Sequence, residues 1–494
     1  MKRYLLAAIV FWSSLFINPV TAIVQEPVDR EIIAKIKDEG LKRSQVEETF
    51  THFTENIGPR LTGTPAHKQA AEWARDKLKE WGLSNPHLEA WEFGRGWVMD
   101  KLTVEMVEPR YMPLIGYADA WSPSMAGEIT TTPLFLGDKT QEAIEQMRGK
   151  LKGAIVLSQP IQTSFERADR PQPTLSDEPV AIGQPRRTGG TQPLVTRQNM
   201  ARILSEAGAG VVLRPNMGEH GTLFVLGVQG RDTAQNAVPS IVLSSEHYNM
   251  LARMIQRGQL VKLRVNMQSR FLSDDKNSYN VMADLPGTDP SLRDEIVMIG
   301  GHLDSWHSAT GATDNADGAA VVMEAMRILK AIGARPNRTI RAALWSGEEE
   351  GLLGSKNYAE RYLKGDANKA AREKFSVYFN IDPGTGPIYG WYLENNQAVK
   401  PIFDAWLEPF RDLGARRNII QGIGNTDHLS FTGLGVPGFN PVQDYVNYDV
   451  RTHHTNMDTF ERVKIADLQQ CAIVMASFAY HAAMRAEKIP TGKP

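Results

Sequence analysis

Apolar positions recur along this chain at two periods, and the period shifts from region to region. Residues 30–50 carry a charged, amphipathic helical pattern. Thr64-Pro65 then opens a second helix, with Ala70, Trp73, Ala74, Leu78 and Trp81 three or four apart and Gly82 as its stop. Residues 102–107 alternate apolar and polar like a half-buried strand. Near Leu114 the texture changes. Short apolar runs at 134–136, 154–157, 210–213 and 241–243 are punctuated by Gly and Pro and predict short strands. Between them, residues 160–195 are rich in Pro, Gln, Arg and Thr and read as a long exposed loop, followed by a short helix over 198–207.

A strand–helix alternation resumes at Tyr279. Strands are predicted over 279–285, 295–299, 339–345 and 377–381, and helices over 316–332, 351–363 and 465–486. This order argues for an α/β fold: a mixed, mostly parallel sheet covered by helices on both faces. The β-rich stretch 115–272 interrupts it as an inserted domain, so that 23–114 and 273–494 form one unit. A chain of 494 residues has room for two or three domains.

Charge and cysteine usage narrow the function. The formal net charge is −2, and no basic run is interleaved with aromatics, which argues against nucleic acid as a partner. Lys2 and Arg3 precede an apolar stretch at 4–17, broken by Ser13 and Ser14, and Val20-Thr21-Ala22 offers a cleavage site after Ala22. Residues 1–22 therefore read as a signal peptide, giving an exported, periplasmic or secreted protein. The run is short for a bilayer span, and no later segment is apolar enough to span a membrane. Cys471 is the single cysteine, so no intrachain disulfide is possible; its setting among Leu468, Ile473, Val474 and Phe478 reads as core filling.

In sheets of this kind ligands bind beyond the carboxyl ends of the strands. His302 and Asp304 follow one predicted strand, Glu348, Glu349 and Glu350 another, and Asp382 a third. Asp314 precedes a helix, and His453-His454 lies far downstream. Each fragment alone has a structural reading: Asp314 as a helix cap, the glutamates as a complement to a helix dipole. Together the carboxylates would repel unless cations balanced them, and imidazole with carboxylate suits zinc or a similar divalent ion.

These fragments, with His302-Leu303-Asp304 and His454-Thr455-Asn456-Met457-Asp458-Thr459, resemble the motifs of the M28 family of zinc exopeptidases. Gly301 to Trp306 and Leu344-Trp345 resemble the carboxypeptidase Q-like branch. Segment 115–272 is similar to a protease-associated domain, and Gly58-Pro59-Arg60-Leu61-Thr62-Gly63 also fits the family. The resemblance implies two divalent ions, zinc foremost, and short peptides as substrates. Asp314 would bridge the ions; His302 and Asp382 would complete one site, Glu349 and His454 the other. His454 is preferred over His453 because it stands four residues before Asp458-Thr459, as the family's ligand does. Glu348 would be the general base, taking a proton from a water shared by ions about 3.5–4 Å apart and passing it to the leaving amine. Asp304 would hydrogen-bond His302 and fix its orientation.

Further residues have two readings each. Asp427, in Gly424-Asn425-Thr426-Asp427-His428, meets a substrate amino group or caps a helix. Tyr448 is a candidate oxyanion donor, with unusual spacing before the histidine pair. His307 is placed on a loop and Asp317 at a helix cap. Two alternative functions remain: a glutaminyl cyclase-like acyltransferase with one zinc, against which His302 and Asp382 both stand, and a non-catalytic receptor module, which would have lost ligands. The inserted segment is expected to shape the cleft or to hold a homodimer contact. Its removal is expected to alter substrate size preference more than metal content.

Overall fold

The computed structural model describes residues 26–172, 193–228 and 237–492. The expected signal peptide at 1–22 and the greater part of the expected loop at 160–195 lie outside the described residues. The principal sheet has seven strands: β1 (Ser84–Glu92), β2 (Asn277–Leu285), β3 (Ile296–His302), β4 (Thr339–Trp345), β5 (Phe375–Asn380), β6 (Thr385–Tyr392) and β7 (Gly438–Asp444), in the order β1-β2-β4-β3-β5-β7-β6. The pairings β4–β3, β3–β5 and β5–β7 are parallel, and the rest are antiparallel. The sheet is thus mixed, with its parallel character confined to the central strands. Parallel neighbours need a crossover, and helices supply it there: α3 (Asp317–Ala331) joins β3 to β4, and α4 (Leu353–Tyr362) lies between β4 and β5.

Helices α1 (Arg30–Lys42), α2 (Pro65–Glu80), α3 and α5 (Ile465–Met484) pack on one face. Thr64 accepts a hydrogen bond from the His67 N–H and Pro65 sits in the first turn, as a helix start requires. Strands β2 to β5 are buried on both sides, so alternate residues feed separate cores. Val281, Ala283, Ile340, Ala342, Val377 and Phe379 meet those helices, whereas Met282, Met298, Trp345 and Tyr378 meet Tyr358 of α4 and Phe431. Cys471 is one of the buried residues of α5, and burial pushes its thiol pKa up.

Two further sheets precede Asn277. Gly96–Glu108 pairs antiparallel with Lys262–Leu272 along nearly their whole length, with Met112–Pro113 and Ile129–Thr131 at the edges. The five short strands Gly116–Ala118, Ser240–Leu243, Val211–Pro215, Ile155–Leu157 and Leu134–Phe135 form the other, and its Leu213, with Tyr248 and Leu251, shares one core with Val104 and Val265 of the first. The helix Ser245–Gln256 in this region has no counterpart in the predicted elements.

Candidate functional site

His302 ends β3, Glu348 and Glu349 follow β4, and Asp382 follows β5, so neighbouring parallel strands deliver their side chains to one edge. Asp314 lies in the kinked turn before α3. The two oxygens of its carboxylate face different partners. Oδ1 is 3.1 Å from His302 Nε2, and Oδ2 is 3.4 Å from His454 Nε2. His302 Nε2 is also 3.9 Å from Asp382 Oδ1 and 4.0 Å from Glu348 Oε2, while His454 Nε2 is 2.9 Å from Glu349 Oε2. His302, Asp314 and Asp382 have donor atoms within 4.8 Å of one another, and so do Asp314, His453 and His454. His453 stacks between Tyr448 and His454, the two histidine rings 3.7 Å apart. The contact with Glu349 belongs to His454.

Several atoms at this edge are buried without a hydrogen-bond partner among the described residues: His302 Nε2, Asp314 Oδ2 and both carboxylate oxygens of Glu349. Leaving such groups unsatisfied costs about 1–3 kcal/mol each, more for charged ones. Converging imidazole and carboxylate donors with unsatisfied lone pairs are what divalent cations complete, so the residues present fit a pair of metal ions sharing Asp314.

Two buried carboxylates hold the backbone of these candidate ligands. Asp304 accepts hydrogen bonds from the Glu348 N–H (3.3 Å), the Glu349 N–H (3.2 Å) and the Thr62 hydroxyl (3.1 Å). Asp458 accepts from the Thr313 N–H (2.7 Å) and the Asp314 N–H (3.2 Å). The expected Asp304–His302 contact takes another form. His302 Nδ1 lies 3.0 Å from the Asp304 main-chain carbonyl, and the carboxylate is 3.7 Å away. That carboxylate is spent on the glutamate turn instead. Arg60 is fully buried and donates to the carbonyls of Phe53, Gly58, Leu303, Thr310 and Gly311, tying the 303–311 loop to the chain's first third. The Gly58 to Gly63 motif was visible in the sequence without a role for Arg60 or Thr62, and Asp458 was visible only as part of the histidine motif.

The remaining candidates sit as follows. Asp427 is completely buried, and neither carboxylate oxygen has a hydrogen-bond partner among the described residues, so it caps no helix. Burial pushes its pKa up to about 7. The Tyr448 hydroxyl is likewise buried and unpartnered among them; burial, with Asp314 and Asp382 nearby, holds its pKa well above the usual value, so it stays a donor. His307 lies on the loop after β3, its Nε2 2.8 Å from the Ala118 carbonyl. Asp317 is the first residue of α3 rather than its cap, and its carboxylate accepts from the Gly318 N–H.

The electrostatics predict how the metal-free protein responds to pH. Burial raises Glu348, Glu349 and Asp317 well above the ordinary carboxyl range, and neighbouring carboxylates add to it. For His302, burial works against the charged ring, but Glu348, Asp304, Asp314 and Asp382 outweigh it and hold the pKa high. All four groups release their protons at a higher pH in the folded chain than in the unfolded one, and burial likewise raises Asp427 and Asp458 to about 7. The buried histidines pulled downward, among them His67, His453 and His454, are neutral in both states above about pH 6.5. Above that pH the folded chain binds more protons, so stability falls as pH rises. Thermal melts of chelator-treated protein from about pH 6.5 to 8.5 should show Tm dropping by roughly a few degrees, with zinc abolishing the slope. A flat profile without metal would contradict the buried-charge account.

The chain is similar to known proteins over most of its length. Residues 280–479 match the model of peptidase family M28. Mouse carboxypeptidase Q is 26% identical over 442 residues, covering 89% of this chain and 85% of the relative. A peptidase M28 precursor from Shewanella amazonensis superposes with a TM-score of 0.69 at 24% identity, covering 94% of this chain and 98% of the other. BSAP, a zinc aminopeptidase from Bacillus subtilis, superposes with a TM-score of 0.59 at 19% identity, covering 90% and 96%.

Proposed function

Since this chain belongs to peptidase family M28, within its carboxypeptidase Q-like branch, and is a metallo-exopeptidase hydrolase, we propose that it cleaves short peptides at a dinuclear zinc centre outside the cytoplasm. One observation carries the dinuclear reading: the two oxygens of Asp314 face two separate imidazoles, each backed by a further carboxylate. His302 and Asp382 would hold one ion, Glu349 and His454 the other, with Asp314 between them. When bound, the ions supply Lewis acidity that polarises the peptide carbonyl and makes a nearby water acidic.

The chain's own groups do the rest. Glu349 lies 2.9 Å from His454, whereas the nearest imidazole contact of Glu348 is the longer 4.0 Å to His302, which supports reading Glu348 as the base rather than a ligand. Glu348 takes the proton of the attacking water and returns it to the leaving amine. Glu348 and Glu349 are consecutive, so one side chain faces the ions and the other the substrate. Asp304 keeps both in place through their N–H groups. The buried Tyr448 hydroxyl, protonated at neutral pH, donates to the developing oxyanion, and Asp427 supplies a negative charge to a substrate amino group. Segment 115–272 is the protease-associated insertion in this reading. Export rests on the pattern of residues 1–22; no helix among the described residues is long and apolar enough to cross a membrane.

The test is product analysis by mass spectrometry on unblocked, N-acetylated and C-amidated short peptides, with metal counting on the same sample. Chelator-sensitive release of terminal residues and two zinc ions per chain are expected. Resistance of the acetylated set identifies an aminopeptidase, resistance of the amidated set a carboxypeptidase, and resistance of both a dipeptidase. Hydrolysis indifferent to chelator, or one ion with cyclised N-terminal glutamine as product, would overturn the reading.

A further inference from the structure

The two candidate ligand groups are built on different foundations. His302 and Asp382 stand at the ends of buried central strands of the principal sheet. His454 stands on a loop, residues 445–456, whose anchorage lies elsewhere. Among the described residues, the hydrogen bonds of its main-chain groups to residues beyond its chain neighbours run to the inserted segment, while the Tyr445 hydroxyl also meets that of Tyr392 at the end of β6 (3.2 Å). On one side Asp169 accepts from the N–H groups of Asn447 (2.7 Å) and Val450 (3.1 Å), and the Gln172 side-chain carbonyl accepts from Tyr445 N–H (2.7 Å). On the other, Val225 N–H donates to the His454 carbonyl (2.9 Å) and Asn456 N–H to the Leu223 carbonyl (3.1 Å).

Side chains reinforce both contacts. Arg170 forms a bidentate pair with the buried Asp449, at 2.6 and 2.9 Å, and its guanidinium lies over the rings of Tyr445 and Tyr448. Asn456 exchanges hydrogen bonds with Leu223 and Gly221, and Arg451 donates to Glu219 and Thr222. His454 itself has φ +61°, a left-handed conformation that a non-glycine residue holds at a cost and keeps only when its surroundings determine it. The Val225 bond to its carbonyl is part of that determination.

We propose that the inserted segment completes the second metal site: Asp169 and Arg170 on one side, and residues 221–225 on the other, are positioning elements that set His454 against Glu349 and Asp314. The first ion is then held by His302, Asp382 and Asp314 without the insertion, the second only while the insertion is docked. This rests on the dinuclear reading above and gives the insertion a part in metal retention, which the sequence analysis did not assign to it.

The experiment uses the full chain and two variants, Arg170→Met and the milder Asp169→Asn. Each is stripped with chelator and titrated with zinc by calorimetry, and hydrogen exchange is followed over 445–456. The parent takes up two ions. Both variants bind the first with the parent's affinity and the second about 10–100-fold more weakly, the range typical for lost outer contacts of a metal ligand. Their 445–456 amides exchange faster while those of β3 and β5 do not change. Excess zinc restores kcat with an unaltered KM, which general unfolding would not permit. Two ions at parental affinity with unchanged exchange would overturn the proposal. A parent that takes up one ion would instead refute the dinuclear reading, and unchanged exchange over 445–456 in the variants would still refute the clamp. Should Arg170→Met fail to fold, Asp169→Asn carries the same readouts.

Discussion

Glu348→Gln is expected to fold, to keep both metal ions and to lose about 10²–10⁴-fold in kcat. The reason lies in its surroundings. Burial, followed by the charges of Asp382, Asp427 and Glu349, raises the Glu348 carboxyl well above its ordinary range. Bound ions would oppose that rise by favouring the charged form, so the group could exchange a proton with a nearby water. Glutamine keeps the shape and the hydrogen bond from the 348 N–H to Asp304, and removes only the capacity to take a proton. The measurement is steady-state kinetics on a dipeptide beside metal content and Tm. Full turnover with two ions would remove Glu348 from the chemistry; loss of metal would show it to be a ligand.

Asp314→Ala should be more severe, because among the described residues this carboxylate is the one shared by the two candidate donor groups. Its oxygens face His302 and His454, and Asp458 holds its N–H in place. Removing it leaves each group short of a donor and two imidazoles without their shared partner. Metal retained after dialysis should fall from two ions to fewer than one, and hydrolysis should become undetectable. Asp314→Asn serves as the control for volume, since it fills the same space with a weaker donor. A variant that keeps two ions and measurable turnover would show that the bridge lies elsewhere.

The readability of the fold followed local regularity. Strands β2 to β5 are buried on both faces and appear as dense apolar runs, and α2, α3 and α5 carry long apolar helical patterns, α2 with a capped start at Thr64-Pro65. The outer strands were not legible. β1 opens on Ser84-Asn85-Pro86 and buries few of its residues, β6 contains Gly386, Pro387 and Gly390, and β7 contains Pro441. Residues of this kind argue against a strand unless neighbours impose it. The sheet is mixed, as expected, because β1–β2, β2–β4 and β7–β6 pair antiparallel around a parallel centre.

The candidate site divides along the same line. The order and spacing of His302, Asp314, Glu348, Glu349, Asp382 and His454 are properties of short segments, each placed by the strand end or turn beside it, so the sequence by itself determined the candidate donor set and the family it resembles. The tertiary structure decided what each donor faces. It turned the two oxygens of Asp314 to different histidines, gave the Asp304 carboxylate to the glutamate turn, set Asp458 behind Asp314, and hung the His454 loop on Asp169, Arg170 and Val225. These are contacts between residues tens to hundreds of positions apart. Spacing along a chain constrains neighbours strongly, but which distant carbonyl or carboxylate satisfies a buried N–H depends on how whole layers pack, and only the folded chain specifies that.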